Sequence, residues 1–136
     1  MTEATTSDLA AEVERDIQGY NSAFVKANHD GDPSLMRPWM RLPVMVYGNG
    51  SVRMLAAPED VDAQYDAAVQ ALKGTGYERS ILSDFAIAVM NPTTAFVSCR
   101  AVRERADGSV IQAFDASYIM VRGDDRWQVA SLISRR

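Results

Sequence analysis

The chain has little of what disulfides and metal sites are built from. Among its 136 residues there is one cysteine, Cys99, and one histidine, His29. A single cysteine cannot form an intramolecular disulfide, and its place in an apolar strand pattern predicts a buried, inert thiol rather than a nucleophile. A metal site built from histidine and cysteine needs several of these residues. We therefore expect no metal and no cofactor.

The chain also lacks clustered positive charge and long apolar runs. Its formal net charge is −4, and basic residues cluster only at the terminal Arg135-Arg136 pair. Nucleic-acid binding leaves a basic footprint, so this class of function is disfavoured. No stretch approaches the ~20 apolar residues of a membrane-spanning helix, and the N-terminus has no secretion-signal pattern. We expect a cytoplasmic protein that binds neither nucleic acid nor membrane.

What the chain does have is the composition and patterning of one globular domain over residues 1–136, with 47% apolar and 24% charged residues. Between residues 6 and 28, apolar side chains recur every three or four positions, which predicts a long amphipathic helix capped by Ser7. A short helix follows before Pro38, and another begins at Pro58 and ends at Gly74.

Strand patterns fill the rest of the chain. The stretch from Arg41 to Ala56 contains an apolar run, the turn Gly48-Asn49-Gly50 and a second short strand, which predicts a hairpin. Alternating patterns then predict four strands joined as a meander, at residues 81–90, 94–106, 109–122 and 126–134. Because helices precede a run of antiparallel strands, the predicted fold class is α+β rather than alternating α/β.

The turns set the register of the last three strands. Asp107-Gly108 favours a two-residue hairpin loop, which places Arg100 opposite Asp115. The same register predicts two further pairs: Ser98 with Ser117, and Phe96 with Ile119. In the last hairpin, a loop of residues 123–125 predicts four pairs: Trp127 with Val121, Val129 with Ile119, Ser131 with Ser117, and Ile133 with Asp115.

This register predicts two different faces of the sheet. One holds branched and aromatic side chains around a polar patch that includes Arg100 and Asp115, and we expect the helices to cover it. The second face, of smaller apolar side chains, would then be exposed, and large exposed apolar patches usually mark interfaces. We therefore expect a homodimer that packs through this outer face, with four contact residues: Val97, Phe114, Tyr118 and Met120.

The order and spacing of these elements resemble the nuclear transport factor 2-like superfamily, which includes SnoaL-like cyclases and ketosteroid isomerase. The resemblance covers essentially the whole chain and rests on three stretches: YNSAFVKANHDGDPSLM, VMVYGNGSV and VRGDDRWQVASLIS. It implies a cystatin-like cone, in which a curved antiparallel sheet wraps around N-terminal helices and encloses a deep, mostly apolar pocket. It also implies a frequent tendency to dimerise.

The catalytic residues implied by the resemblance do not match this chain. In ketosteroid isomerases a general-base aspartate, an oxyanion-hole tyrosine and a protonated aspartate carry the reaction, and these positions fall at Tyr47, Phe24 and Ser117. Chemistry of the scytalone dehydratase type needs paired histidines, and the chain has only His29. A shared fold does not transfer function.

The residues expected to line the pocket are Tyr20, Trp39, Tyr47, Ser98, Arg100, Asp115 and Ser117. Asp115 beside Arg100 has three readings: a structural ion pair, a pair that orients a ligand, or a proton-transfer catalyst. A neighbouring cation lowers the pKa of a carboxyl group and makes it a poorer base.

Tyrosines are the other catalytic candidates, at Tyr20 and Tyr47. Tyr20 and Tyr65 lie on the apolar stripes of their helices, where a buried hydroxyl needs a hydrogen-bond partner. Asp115 or the row of serines could supply that partner. Without a nearby histidine, none of these serines can be an activated nucleophile.

The sequence thus predicts a SnoaL-like domain that binds a small, largely apolar molecule through one polar handle. If the protein is an enzyme, the chemistry is cofactor-free isomerisation, dehydration, cyclisation or hydrolysis. The alternative is a non-catalytic interaction or ligand-sensing module, which the missing family catalytic set favours. A third reading is an accessory subunit that docks on a partner through the outer sheet face.

Overall fold

The long helix predicted at the start of the chain is α1 (Thr6–Asp30), in a computed structural model that describes residues 5–134. It begins earlier than the predicted cap at Ser7. The Thr5 hydroxyl accepts a hydrogen bond from the Asp8 amide (3.0 Å), and the Asp8 carboxylate accepts one from the Thr5 amide (3.2 Å). This reciprocal capping box gives acceptors to two backbone amides, those of Thr5 and Asp8. A cap at Ser7 would leave both amides without these acceptors.

A short 3₁₀ helix (Pro33–Trp39) and the helix α2 (Pro58–Leu72) complete the helical layer. The Asp32 carboxylate caps the short helix by accepting from the Ser34 amide (3.1 Å). Both of these helices were predicted. The apolar stripes of α1 and α2 are buried, so the helices lie with these stripes against the sheet.

The strands form one six-stranded sheet in the order β2-β1-β6-β5-β4-β3. Neighbouring strands are antiparallel except for β1 and β6, which are parallel. Helices followed by a curved sheet confirm the predicted α+β, cystatin-like fold. The strand bounds are β1 (Met40–Gly48), β2 (Ser51–Leu55), β3 (Tyr77–Asn91), β4 (Thr94–Arg105), β5 (Val110–Arg122) and β6 (Trp127–Ser134).

The register of β4 and β5 follows the prediction through most of its length. Arg100 lies opposite Asp115, and the pairs of Ser98 with Ser117 and Phe96 with Ile119 are also present. The loop has three residues rather than two, because the Arg105 amide donates to the Ser109 carbonyl (2.9 Å). A bulge beside Arg103 absorbs the difference and leaves the rest of the register unchanged.

The predicted register of β5 and β6 is wrong. Trp127 lies opposite Arg122 and Val129 opposite Met120, each one position away from its predicted partner. Beyond a bulge next to Ile119 the observed pairs are Ile119 with Ser131 and Ser117 with Ile133. Side chains alternate along a strand, so an odd shift moves Trp127 and Val129 to the opposite face from the one predicted.

The two faces of the sheet are therefore exchanged relative to the prediction. The face under the helices, called here the inner face, carries the small and apolar residues of β4 and β5, and Val97, Tyr118 and Met120 on it are buried. The outer face carries the alternate residues, which include Arg100 and Asp115. The four predicted dimer contacts, Val97, Phe114, Tyr118 and Met120, thus lie on the inner face. Trp127 and Val129 belong to the same face, and because both are fully buried, this is the face that packs against the helices.

A buried carboxylate fixes α1 to the start of β6. Asp16 is 5% exposed, and its Oδ2 accepts a hydrogen bond from the Trp127 amide (2.8 Å). The Trp127 indole also donates to Glu12 on the same helix (3.2 Å). Arg15 pairs with the other Asp16 oxygen (3.0 Å), so the buried charge is compensated.

No helix within residues 5–134 is both long and apolar enough to span a bilayer.

Replacing Asp16 with alanine should destabilise the fold. The Trp127 amide would lose its acceptor while remaining buried, at a cost of about 1–3 kcal/mol. Asp16→Asn keeps an acceptor oxygen and should cost clearly less. Urea denaturation of both variants measures the difference, and an Asp16→Ala variant as stable as the wild type would contradict this anchoring role.

The Cys99 thiol should be inert, as its strand pattern predicts. It is buried on β4, and burial raises its pKa to about 11. Only the thiolate reacts with alkylating agents, so modification at pH 8 should be on the order of 100-fold slower than in the urea-unfolded chain. Equal rates of iodoacetamide modification in the folded and unfolded chain would show that the thiol is accessible.

Candidate functional site

A cavity of about 220 Å³ lies at one end of the inner face. Its walls come from α1, α2 and the ends of β1, β3, β4, β5 and β6. Most of the lining is apolar, with Phe24, Leu82, Phe114 and Leu132 among the larger side chains.

Three tyrosines form the polar part of this cavity. The hydroxyls of Tyr20 on α1 and Tyr65 on α2 are hydrogen-bonded to each other at 2.6 Å. The ring of Tyr118 on β5 packs edge-on against Tyr20, with 5.6 Å between ring centroids. All three side chains are buried. The Tyr118 hydroxyl lines the cavity and makes no hydrogen bond to any residue from 5 to 134.

Arg103 on β4 supplies the positive charge of the cavity. Its guanidinium carbon lies 5.1 Å from the centroid of the Phe24 ring and 4.9 Å from that of the Phe114 ring. Its Nη1 donates to the Gln112 side chain (3.0 Å). Two aromatic faces and a side-chain acceptor hold the guanidinium in place, so its charge is presented in a fixed position.

Two other polar side chains of the lining, Asn21 and Gln64, bond to protein partners. Asn21 donates to the Ser80 carbonyl (2.8 Å), and Gln64 accepts from Arg53 (2.7 Å). Such bonds fix the walls rather than leaving groups for a ligand. Tyr118 is different, because its hydroxyl has no hydrogen-bond partner in residues 5–134 and water or a molecule bound in the cavity can accept from it.

Burial keeps the three phenols protonated. It raises the pKa of Tyr20, Tyr65 and Tyr118, in each case as the largest cause. The neighbouring Tyr65 raises the pKa of Tyr20 further, while the charge of Arg103 opposes the shift at all three phenols. These hydroxyls therefore act as hydrogen-bond donors at neutral pH and not as bases.

The structure brings four of the predicted pocket residues to the cavity wall: Tyr20, Tyr47, Asp115 and Ser117. Tyr20 was expected to find a partner in Asp115 or a serine, but its hydroxyl pairs with Tyr65. Tyr47 belongs to the outer face of β1, opposite Val52, and is 38% exposed. The functional roles of these residues stay predictions.

The other three predicted pocket residues lie elsewhere. Trp39 packs against Gly19 of α1, where an added Cβ would come within 2.2 Å of its ring, and it stacks on Arg126 (4.4 Å). Ser98 and Arg100 are on the outer face because the faces are exchanged. Arg100 reaches Asp115 across that face at 3.7 Å, longer than a hydrogen bond, and both side chains are about half exposed.

Sequence reasoning missed Arg103 and Tyr118 as site residues. Both lie on the same face as the small apolar residues of β4 and β5, which was predicted to be the dimer interface. An arginine and a tyrosine that continue an otherwise small, apolar strand face are the signal that could have identified them. That signal has meaning only once the covered face is known.

No group of three or more histidine, cysteine, aspartate or glutamate side chains within residues 5–134 is arranged to hold a metal ion.

The raised phenol pKa values predict a loss of stability in alkali. Unfolded tyrosine ionises near pH ~10, and the buried phenols resist ionisation, so stability is intact below that pH and falls as the pH rises above it. In this range each buried phenol lowers the free energy of unfolding by about 1.4 kcal/mol per pH unit. Tyr118→Phe removes one phenol and should reduce the slope by that amount. Urea unfolding between pH 9 and 11.5 tests this, and an unchanged slope would contradict it.

Comparison with known proteins agrees with this fold. A family model described as "NTF2-like protein (DUF6841)" matches residues 11–136. Among curated protein sequences, none matches the chain at a significant level.

Solved structures give the same result. The protein Aln2 from a Streptomyces species is 14% identical, with a TM-score of 0.69 and coverage of 99% of this chain and 94% of that one. An NTF2-like protein with a cystatin-like fold from Novosphingobium aromaticivorans is 15% identical, with a TM-score of 0.67 and coverage of 97% and 90%. An NTF-2-like protein of unknown function from Shewanella oneidensis is 18% identical, with a TM-score of 0.65 and coverage of 89% and 97%.

At these identities the solved structures establish the fold alone, and the family follows from the matched residues. The resemblance read from the sequence is confirmed: the chain belongs to the NTF2-like family described as DUF6841.

Proposed function

We propose that the protein binds a small, largely apolar molecule in the cavity at the end of the inner face, through an oxygen atom that accepts hydrogen bonds. The observation that carries this proposal is the Tyr118 hydroxyl, which belongs to a buried side chain of the cavity wall and has no hydrogen-bond partner in residues 5–134. A ligand oxygen placed in the cavity would give this hydroxyl an acceptor in a mostly apolar surrounding, where a hydrogen bond is stronger than in water.

The volume of the cavity limits the size of the ligand. Pockets for drug-sized ligands measure roughly 300–1,000 Å³, and a cavity of about 150 Å³ can hold benzene. At about 220 Å³ the present cavity suits one ring with a short substituent. Its apolar walls contact the body of such a molecule, and the tyrosines and Arg103 contact its oxygen.

The charge of Arg103 favours a ligand oxygen that carries negative charge. A carbonyl, phenolate or carboxylate fits this requirement, because the guanidinium and the protonated phenols all present positive charge or donor hydrogens. An amine would bring a second positive charge beside the guanidinium of Arg103. The ligand is therefore of the ketone, phenol or carboxylic acid class.

The same lining favours binding over proton-transfer catalysis. A general base works best with a pKa near the operating pH, and the pKa values of the buried phenols are raised instead. Among the described lining residues, Asp115 carries the only carboxylate, and that carboxylate faces Arg100 on the outer side of the sheet. The proposed role is a ligand-binding or ligand-sensing domain.

Three probes of similar size test the proposal: benzoate, acetophenone and toluene. We expect benzoate and acetophenone to bind more tightly than toluene, which has no acceptor oxygen. Tyr118→Phe should weaken acetophenone about 3- to 10-fold, the value of one hydrogen bond, and leave toluene unchanged. Arg103→Gln should weaken benzoate about 10- to 100-fold. Ligand-observed NMR titration measures all of these affinities.

Tyr77→Phe is the matched control, since the Tyr77 hydroxyl bonds to Ser80 and its side chain does not line this cavity. It should bind all three probes as the wild type does. Equal affinities for the three probes, or a Tyr118→Phe variant indistinguishable from wild type, would contradict the proposal.

A further inference from the structure

A second cavity, of about 240 Å³, lies beside the tyrosine-lined cavity, which is called here the ligand cavity. Its walls come from the ends of α1 and α2 and from the start of β3. None of its lining residues lines the ligand cavity as well. The larger side chains of its wall are those of Asn28, His29, Val69, Leu72, Lys73 and Tyr77. The proposed function makes no use of this space.

The two cavities follow one another along both helices. On α1, Phe24 lines the ligand cavity and Asn28, one turn later, lines the second cavity. On α2, Tyr65 lines the ligand cavity and Val69, again one turn later, lines the second. Residues four apart share one helix face and are separated by about 6 Å along the axis. The cavities are therefore neighbouring parts of one trough.

The ring of Phe24 stands between the two parts of this trough. Its centroid lies 6.2 Å from that of the Tyr65 ring and 6.2 Å from that of the Tyr77 ring, with an edge-on geometry in both pairs. Tyr65 belongs to the wall of the ligand cavity and Tyr77 to the wall of the second cavity. A ring that contacts both walls fills the space that would otherwise connect them.

Phe24 is held in this position from several sides. Its side chain is 6% exposed, and the guanidinium of Arg103 lies over its ring at 5.1 Å. The two edge-on contacts and this cation–π contact would all be lost if the ring turned away. In a close-packed interior such a ring keeps one orientation. The partition between the cavities is therefore closed in the folded protein.

We propose that Phe24 is the specificity-determining residue of the ligand cavity, because its ring closes off the second cavity and so limits the ligand to one aromatic ring. The inference rests on the proposed function and narrows its ligand class to single-ring ketones, phenols and carboxylic acids. A cavity of about 150 Å³ can hold benzene, and drug-sized ligands need roughly 300 Å³ or more, so either cavity alone suits one ring.

The position of the acceptor oxygen explains why a second ring would meet Phe24. The ligand oxygen is proposed to lie near Tyr118 and Arg103, and Arg103 is itself in contact with Phe24. A carbonyl carbon in this place has one substituent in the ligand cavity and the other directed at the partition. A methyl group fits there, whereas a phenyl group needs the space of the Phe24 ring and of the second cavity.

Acetophenone and benzophenone test this size limit, because they differ only in a methyl or a phenyl group on the same carbonyl carbon. The wild type should bind acetophenone at least ~10-fold more tightly than benzophenone. Phe24→Ala should join the two cavities and bind benzophenone at least ~10-fold more tightly than the wild type does, since a further ring is then buried. Ligand-observed NMR titration measures these affinities.

A second substitution shows whether the second cavity receives the added ring. Val69→Phe places a ring in that cavity, so combining it with Phe24→Ala should abolish the gain for benzophenone and leave acetophenone bound. Phe24→Leu retains more of the core packing and should shift the preference in the same direction, which covers the case that Phe24→Ala fails to fold. Phe85→Ala is the matched control, since Phe85 packs against the core but lines neither cavity, and it should keep the wild-type preference.

The outcomes separate this inference from the proposed function. If acetophenone binds the wild type but benzophenone binds no Phe24 variant, the partition is refuted and the proposed function stands. A gain for benzophenone that survives Val69→Phe, or that Phe85→Ala reproduces, would also overturn the role of Phe24. If acetophenone fails to bind the wild type, the proposed function falls, and this inference falls with it.

Discussion

The fold depends on which face of the sheet the helices cover. The hydrogen bond from the Trp127 amide to Asp16 fixes the start of β6 against α1 and so fixes which face of β6 is covered. It joins α1 to the first residue of β6, and the turn at residues 123–126 pairs Trp127 with Arg122 so that Trp127 and Val129 face the helices. With this end fixed, alternation along β5 places Tyr118 inside and Asp115 outside. The other strands follow by register, so this buried contact lies where the helix-covered face of the sheet is separated from the uncovered one.

Burial does two things to the inner surface at once. It holds the phenols protonated by raising their pKa, and it makes a donor without an acceptor costly. The proposed ligand-binding role follows from this combination, because protonated phenols can donate hydrogen bonds to an acceptor oxygen but are poor bases.

Much of the fold could be predicted from the sequence, because helix stripes, turns and strand alternation are local signals. The pairing of Arg100 with Asp115 was predictable for the same reason, although the Asp107-Gly108 turn gained one residue and a bulge restored the register. The face assignment failed because it rested on β6, where the turn spans residues 123–126 instead of the predicted 123–125 and shifts the pairing of Trp127 by one residue. Arg103 and Tyr118 were missed as a consequence. Their importance depends on contacts with α1 that lie far apart in the chain.

The position of a bound probe tests the central claim most directly. Intermolecular NOEs from acetophenone to assigned aromatic side chains report which surface holds it. The account predicts NOEs to the rings of Tyr20, Phe114 and Tyr118, and none to Phe96 on the outer face. NOEs to Phe96 without any to Tyr118 would show that the ligand site is not the cavity under the helices.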